Sequence, residues 1–187
     1  PRHRVYPPGH AAKSCELVVE DEITYGTLSR EYAQDAFGAH FVEVGVNSYT
    51  GEIRVRRMLA VCHAGRILNP KAARSQVIGA MTMGVGAALM EELVVDKQVG
   101  FFVNHDLAGY EVPVHADIPH QEVVLLEDLD PTMSPMKAKG IGELGIVGVA
   151  AAVANAVYNA TGIRVREYPI TPDKLIDKLS INGKYGK

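Results

Sequence analysis

The sequence predicts an α+β fold: a β-hairpin and further strands, packed with two long buried helices rich in glycine and alanine and a short C-terminal helix. Two observations predict this mixture. Apolar and polar residues alternate with a period of two over residues 40–63, as in half-buried strands. Two runs of helical length, residues 71–93 and 144–160, keep charge out of their centres. No repeating strand–helix rhythm follows, which favours α+β or an irregular α/β arrangement over a doubly wound sheet.

Composition limits the functional classes. The chain has 187 residues, 47% hydrophobic and 22% charged, which is typical of a globular domain long enough to bury a core. A net charge of −3 and the lack of a basic stripe argue against nucleic-acid binding. Cys15 and Cys62 form no CxxC pair and the seven histidines show no zinc spacing, so no protein metal site is predicted.

The first elements follow from local pattern. Residues 1–34, which open with "PRHRVYPPGH", are predicted to be a linker or the edge segment of a longer chain. Strands at 40–48 and 53–63 flank the turn "SYTGE" and form a hairpin. The helix over 71–93 is expected to start at Asn69-Pro70, because asparagine caps helices and proline fits their first position.

The second half is more irregular. A short strand is possible at "GFFV", a strand is expected over residues 121–128, and two prolines make "LDPTMSPM" a loop. The helix over 144–160 ends at Gly162, "IRVREY" alternates as a strand would, and Thr171-Pro172 opens the last helix.

The uncharged helix raises the question of a membrane span, since it has the necessary length. Glycine and alanine dominate it, and Asn155, Asn159 and Thr161 interrupt it. Small residues on all sides predict a core helix in tight contact on every face.

One carboxylate, Glu143, stands among the glycines of "MKAKGIGELGIVG". It could be a first-turn carboxylate favoured by the helix macrodipole. It could belong to a dinucleotide-binding fingerprint made by Gly140, Gly142 and Gly145, although no strand directly precedes that motif. It could also be a general base, with glycines leaving room for a bulky ligand. These residues alone leave the three interpretations open.

Five motifs occur in a fixed order: "GRILNP", "RSQVIGAMTMGVGAALMEEL", "HADIP", "SPMKAKGIGELG" and "VAAAVANAVYNATGIRVREYPITPDKL". Over about residues 35–178 the chain resembles the C-terminal part of the molybdenum-binding large subunit of the xanthine dehydrogenase/aldehyde oxidase family. It looks most like the bacterial, periplasmic-type aldehyde oxidoreductases. The resemblance implies that residues 35–187 form the C-terminal part of a molybdopterin-binding domain.

The resemblance also implies site residues. The family hydroxylates activated carbons with oxygen taken from water, and the glutamate of a Gly-x-Gly-Glu motif acts as the catalytic base; this glutamate corresponds to Glu143. Gln76 in "SQVIG" matches a glutamine that contacts the cofactor, and Lys139, Gly140 and Gly142 would lie against the cofactor. A leucine follows Glu143 where purine-oxidising members have proline, which favours aldehydes, with a xanthine-type hydroxylase as the alternative.

The implied enzyme is a molybdenum-dependent oxidoreductase that converts aldehydes to carboxylic acids. It would use a molybdopterin dinucleotide, usually the cytosine form in bacteria, with [2Fe–2S] centres and FAD on partner subunits or domains. The isolated chain is expected to be inactive, to hold no cofactor and to self-associate through exposed apolar surface. No nucleic-acid or membrane partner is expected. The compartment stays open between cytoplasm and periplasm, because in this family an export signal can lie on a partner subunit.

Overall fold

The computed structural model describes residues 27–182, so most of the predicted linker, residues 1–26, lies outside the described part of the chain. After a short 3₁₀ turn at Thr27–Arg30, helices and strands alternate irregularly, which confirms the α+β prediction. The elements are β1 (Phe37–Val46), β2 (Ile53–His63), α1 (Pro70–Leu89), β3 (Val95–Asp96), β4 (Phe101–Phe102), β5 (Gln121–Leu126), α2 (Leu144–Val147), α3 (Val149–Thr161) and α4 (Asp173–Asn182).

The predicted hairpin is confirmed. Strands β1 and β2 pair antiparallel, with His40 opposite Ala60. The turn is closed by a hydrogen bond from the Gly51 N–H to the Asn47 carbonyl, and Gly51 has a φ of 74°, which glycine adopts at little cost. Strand β5 then pairs with β2 in parallel, so the sheet has the order β1-β2-β5. A parallel neighbour requires a crossover connection, and α1 lies within it.

Helix α1 starts where the sequence predicts. The Asn69 side chain accepts a hydrogen bond from the Ala72 N–H at 3.1 Å, and Pro70 is the first helical residue. The buried face of α1 packs on the inner face of the sheet and on α3. Together they form one core, whose fully buried members include Met58, Ala60, Cys62, Val77, Met81, Val85, Val149, Val153 and Val157.

The second predicted helix is divided at Gly148 into α2 and α3. It ends at Gly162, which has the left-handed φ of 73° expected of a helix-terminating glycine. By length and composition, Leu144–Thr161 is apolar enough to cross a membrane, but Val149, Val153 and Val157 are buried in the core with residues of the sheet and α1. The structure corrects the expectation of contact on every side. Only 22% of this stretch is buried, and Val147 is 78% exposed.

The segment "IRVREY" is not a strand, contrary to the sequence prediction. Its Arg164 instead turns back onto α3, where it donates a hydrogen bond to Asn155 and lies 3.9 Å from the centre of the Tyr158 ring. The alternation therefore reflects Ile163 and Val165 packing on the core while Arg164 contacts α3, and not pairing in a sheet. The other predictions in this half are confirmed: β4 lies within "GFFV", β5 within 121–128, and α4 begins directly after Thr171-Pro172.

Candidate functional site

Glu143 lies at the N-terminal end of α2 and is exposed. Its side chain makes no capping hydrogen bond with the helix. The macrodipole interpretation requires no such bond and stays a prediction. Because Glu143 is exposed, its carboxylate is accessible to a ligand.

The glycines around Glu143 are of two kinds. A Cβ added at Gly145 would lie 2.8 Å from the Ala80 Cβ and 2.9 Å from the Val77 Cα and carbonyl oxygen, so Gly145 lets α2 approach the backbone of α1. A Cβ added at Gly140 or Gly142 would meet nothing within 4 Å. Gly145 is thus used for helix packing, whereas the other two leave open surface beside the carboxylate.

The different surroundings of Gly140, Gly142 and Gly145 do not fit the dinucleotide-binding alternative. That motif needs a strand running directly into its first glycine and a helix whose N-terminus faces the pyrophosphate. A loop precedes Gly140 here, α2 has only four residues, and Gly145 is occupied by its contact with α1.

The loop before Glu143 is anchored to the chain that follows β2. The Arg66 N–H donates to the Lys137 carbonyl at 2.7 Å, and the Lys139 N–H donates to the Ala64 carbonyl at 2.8 Å. Between them Gly65 has a φ of 63°, and a Cβ there would lie 2.5 Å from the Lys137 oxygen. This short antiparallel contact sets where the loop leaves the sheet.

Lys139, which the resemblance places at the cofactor, makes its described contacts with protein groups. Its ammonium lies 2.8 Å from the Asp130 carboxylate and donates to the Asp35 carbonyl at 2.9 Å, and its side chain is 5% exposed. The hydrogen bonds from Lys139 and then from Thr132 hold the pKa of the Asp130 carboxyl well below its usual range. Lys139 thus ties the loop to the start of β1, while its contact with a cofactor stays a prediction.

Gln76 is exposed on α1, next to the Val77 that Gly145 contacts. Its amide makes no hydrogen bond to the residues described here. Gly79, one turn further along α1, also faces open space. The Gly145 contact therefore places the start of α2, where Glu143 lies, near the turn of α1 that carries Gln76. Gly140, Gly142 and Glu143 lie together in the segment that leads into α2, Gln76 lies on α1 beside the Val77 that Gly145 contacts, and the Lys139 ammonium lies against Asp130.

Sequence reasoning missed one residue beside this region. His40 of β1 hydrogen bonds through its Nε2 to the carbonyl of Leu144, the residue after Glu143. A signal was available, because His40 is a polar residue at an inward-facing position of an alternating strand.

The region around Glu143 offers groups that can bind an organic ligand. Within residues 27–182, no group of three or more histidine, cysteine, aspartate or glutamate side chains is placed to hold a metal ion. The region instead offers an unpaired amide, a carboxylate and two glycines that a ligand could approach closely. These are groups that bind and orient an organic molecule and can exchange a proton with it.

Comparison with known proteins gives a consistent answer. A family model described as "Molybdopterin cofactor-binding domain" matches residues 12–119. The aldehyde oxidoreductase molybdenum-binding subunit PaoC of Escherichia coli is 76% identical over 163 residues, which cover 87% of this chain and 22% of that protein. The putative xanthine dehydrogenase molybdenum-binding subunit XdhA of the same species is 38% identical over 148 residues, covering 79% of this chain and 20% of XdhA.

Among solved structures, the aldehyde oxidoreductase of Desulfovibrio desulfuricans superposes with a TM-score of 0.68 at 33% identity, over 76% of this chain and 15% of that one. The chain thus spans about a fifth of the length of the curated relatives it matches. It belongs to the molybdopterin cofactor-binding domain family, among the molybdenum-binding subunits of aldehyde oxidoreductases and xanthine dehydrogenases.

Proposed function

We propose that this chain contributes the general base, Glu143, and part of the cofactor-contacting surface to a molybdenum hydroxylase that oxidises aldehydes. The observation that carries the proposal is the setting of Glu143: an exposed carboxylate without a capping hydrogen bond, beside two glycines that face open space. An aldehyde substrate is favoured over a purine because 76% identity links the chain to an aldehyde oxidoreductase subunit, against 38% for a xanthine dehydrogenase subunit.

Each of the candidate residues has a separate role in the proposed reaction. A bound molybdenum cofactor would supply a centre that activates water and accepts two electrons. Gln76 would orient that cofactor through its free amide, and Gly140 and Gly142 would let it approach the backbone. Glu143 would take up a proton at a carboxylate oxygen during the reaction. In sum, an aldehyde and water give a carboxylic acid, two protons and two electrons.

The remaining parts of the proposal concern partners. We assign residues 35–187 to the molybdopterin-binding domain, with the cofactor as a dinucleotide in the cytosine form and the electrons leaving through [2Fe–2S] centres and FAD on other subunits or domains. Support for a covering partner comes from the outer face of the sheet. There Phe37, Phe41, Val124 and Leu126 are 39–60% exposed, and apolar patches of this kind favour protein contacts. The same face would drive self-association of the isolated chain.

The test compares the complete, cofactor-loaded enzyme with its Glu143→Gln variant. Glutamine keeps the shape of the side chain but cannot act as the base, so aldehyde turnover should fall by about a hundredfold or more. Molybdenum content, measured on the same preparations, should be retained. Glu167→Gln, at another exposed glutamate, is the matched control and should keep both turnover and molybdenum. Full turnover in Glu143→Gln with full molybdenum content would contradict the proposal.

A further inference from the structure

His40 lies on the inner face of β1, opposite Ala60, and is half-buried beneath the junction of α2 and α3. We propose that His40 is a positioning residue for Glu143, which it holds in place through the backbone of α2. This inference rests on the proposed role of Glu143 as the base.

The first contact is a hydrogen bond of defined direction. The His40 Nε2 lies 3.2 Å from the Leu144 carbonyl oxygen. A carbonyl only accepts hydrogen bonds, so Nε2 carries the hydrogen and donates it. The other ring nitrogen, Nδ1, is buried and has no partner among the described residues. The one hydrogen bond that orients the ring within this part of the chain is therefore the bond to Leu144.

The second contact is steric. A Cβ added at Gly148 would overlap the His40 Cδ2 and would lie 3.3 Å from Nε2. The imidazole thus fills the space beneath the break between α2 and α3, directly against the backbone of Gly148. The ring touches the short helix α2 near both of its ends, at Leu144 and at Gly148.

These contacts matter because α2 cannot hold its own position. It has four residues, Leu144–Val147, far fewer than an isolated helix needs for stability. It continues through Gly148 into α3, and its tertiary contacts include Gly145 against α1, the Leu144 side chain against the core and His40 against its backbone. Leu144 is bonded directly to Glu143, so a shift at its carbonyl moves the base.

A general base works only within hydrogen-bond reach of the proton it takes. A displacement of about 1 Å in a catalytic group can cost about a hundredfold in rate, so loss of one anchor should be measurable. The contacts of His40 used in this inference are with the backbone at Leu144 and Gly148. It acts on the reaction only through the position of Glu143.

The experiment uses the complete enzyme with His40→Leu and His40→Gln. Leucine fills part of the space without a donor, whereas glutamine keeps an N–H donor. Val42→Ala is the matched control, because Val42 is the next inward-facing residue of β1 and is partly buried against the same core. Three quantities are measured: kcat and KM for an aldehyde, molybdenum content, and the rate of amide hydrogen exchange over residues 143–149. The exchange rate is read on cofactor-free protein as well.

We expect His40→Leu to lower kcat by about tenfold or more with KM and molybdenum content unchanged, and to speed exchange over residues 143–149. His40→Gln should restore both the rate and the protection. Val42→Ala should lower the melting temperature without either effect. Unchanged exchange in His40→Leu, or equal losses in His40→Leu and Val42→Ala, would overturn the inference. If Glu143→Gln is silent while His40→Leu still speeds exchange, the proposed function fails instead, and His40 is an anchor of α2 alone.

Discussion

Substitution of alanine for Gly145 tests whether this glycine is needed for helix packing, in contrast to Gly142, which faces open space. The added methyl group would lie 2.8 Å from the Ala80 Cβ and 2.9 Å from the Val77 Cα and carbonyl oxygen. Two of these three neighbours are backbone atoms of α1, which cannot turn aside as a flexible side chain can. Helix α2 must therefore move away from α1, and the start of α2 moves with it.

The size of the effect follows from that geometry. Overpacking of a well-filled interior by a methyl group costs about 1–3 kcal/mol. At about 2–4 °C per kcal/mol for a domain of this size, the melting temperature of Gly145→Ala should fall by about 2–12 °C. Thermal unfolding followed by circular dichroism, at one protein concentration for all variants, measures the change.

Gly142→Ala is the control for this prediction. Its Cβ would meet nothing within 4 Å, so we expect a stability change of less than about 0.5 kcal/mol. In the complete enzyme the same methyl group would stand where we propose the cofactor approaches, and molybdenum content should fall. A wild-type melting temperature for Gly145→Ala, or equal destabilisation by both substitutions, would refute the assignment of Gly145 to packing and Gly142 to ligand approach.

Three further predictions concern groups outside the α1–α2 contact. Lys139 lowers the pKa of the Asp130 carboxyl in the folded state. The ion pair therefore stabilises the fold above the unfolded-state pKa of an aspartate, about 4, and this stability is lost as pH falls through the lower folded-state pKa of Asp130. Asp130→Asn should thus lower the urea midpoint at pH 7, and its deficit should shrink at pH 3. Asn69→Ala removes a helix cap and should cost about 1 kcal/mol in a urea titration, whereas a midpoint equal to wild type would show that the cap is dispensable. Burial raises the pKa of the Cys62 thiol, so in a Cys15→Ser background Cys62 should resist thiol reagents until the chain is denatured, and rapid labelling of native protein would contradict its burial.

Elements set by local chemistry could be predicted from the sequence. The period-two alternation of residues 40–63 predicted the hairpin, and Asn69-Pro70 predicted the first residue of α1. Gly162 ended α3 as expected, because a glycine adopts the left-handed conformation that terminates a helix. These signals act over a few neighbouring residues, so they are visible in the sequence itself.

Other features depend on residues distant in sequence. The helix breaks at Gly148, where the imidazole of His40 lies directly against the backbone. Alternation alone could not show that Arg164 of "IRVREY" contacts a helix and that the segment pairs with no strand. The ion pair between Lys139 and Asp130 likewise could not be read from the motifs, which predict only that Lys139 lies near a cofactor.

The sequence by itself supplied the candidate residues of the proposed site: a single carboxylate among glycines and, by resemblance to the family, a glutamine on the preceding long helix. Only the tertiary structure decided which glycine packs, which glycines leave open space, and which residues contact the backbone of α2. The physical reason is separation along the chain. The bonds from His40 to Leu144 and from Lys139 to Asp35 each join residues 104 positions apart, and a contact of that kind exists only once the sheet and the helices have come together.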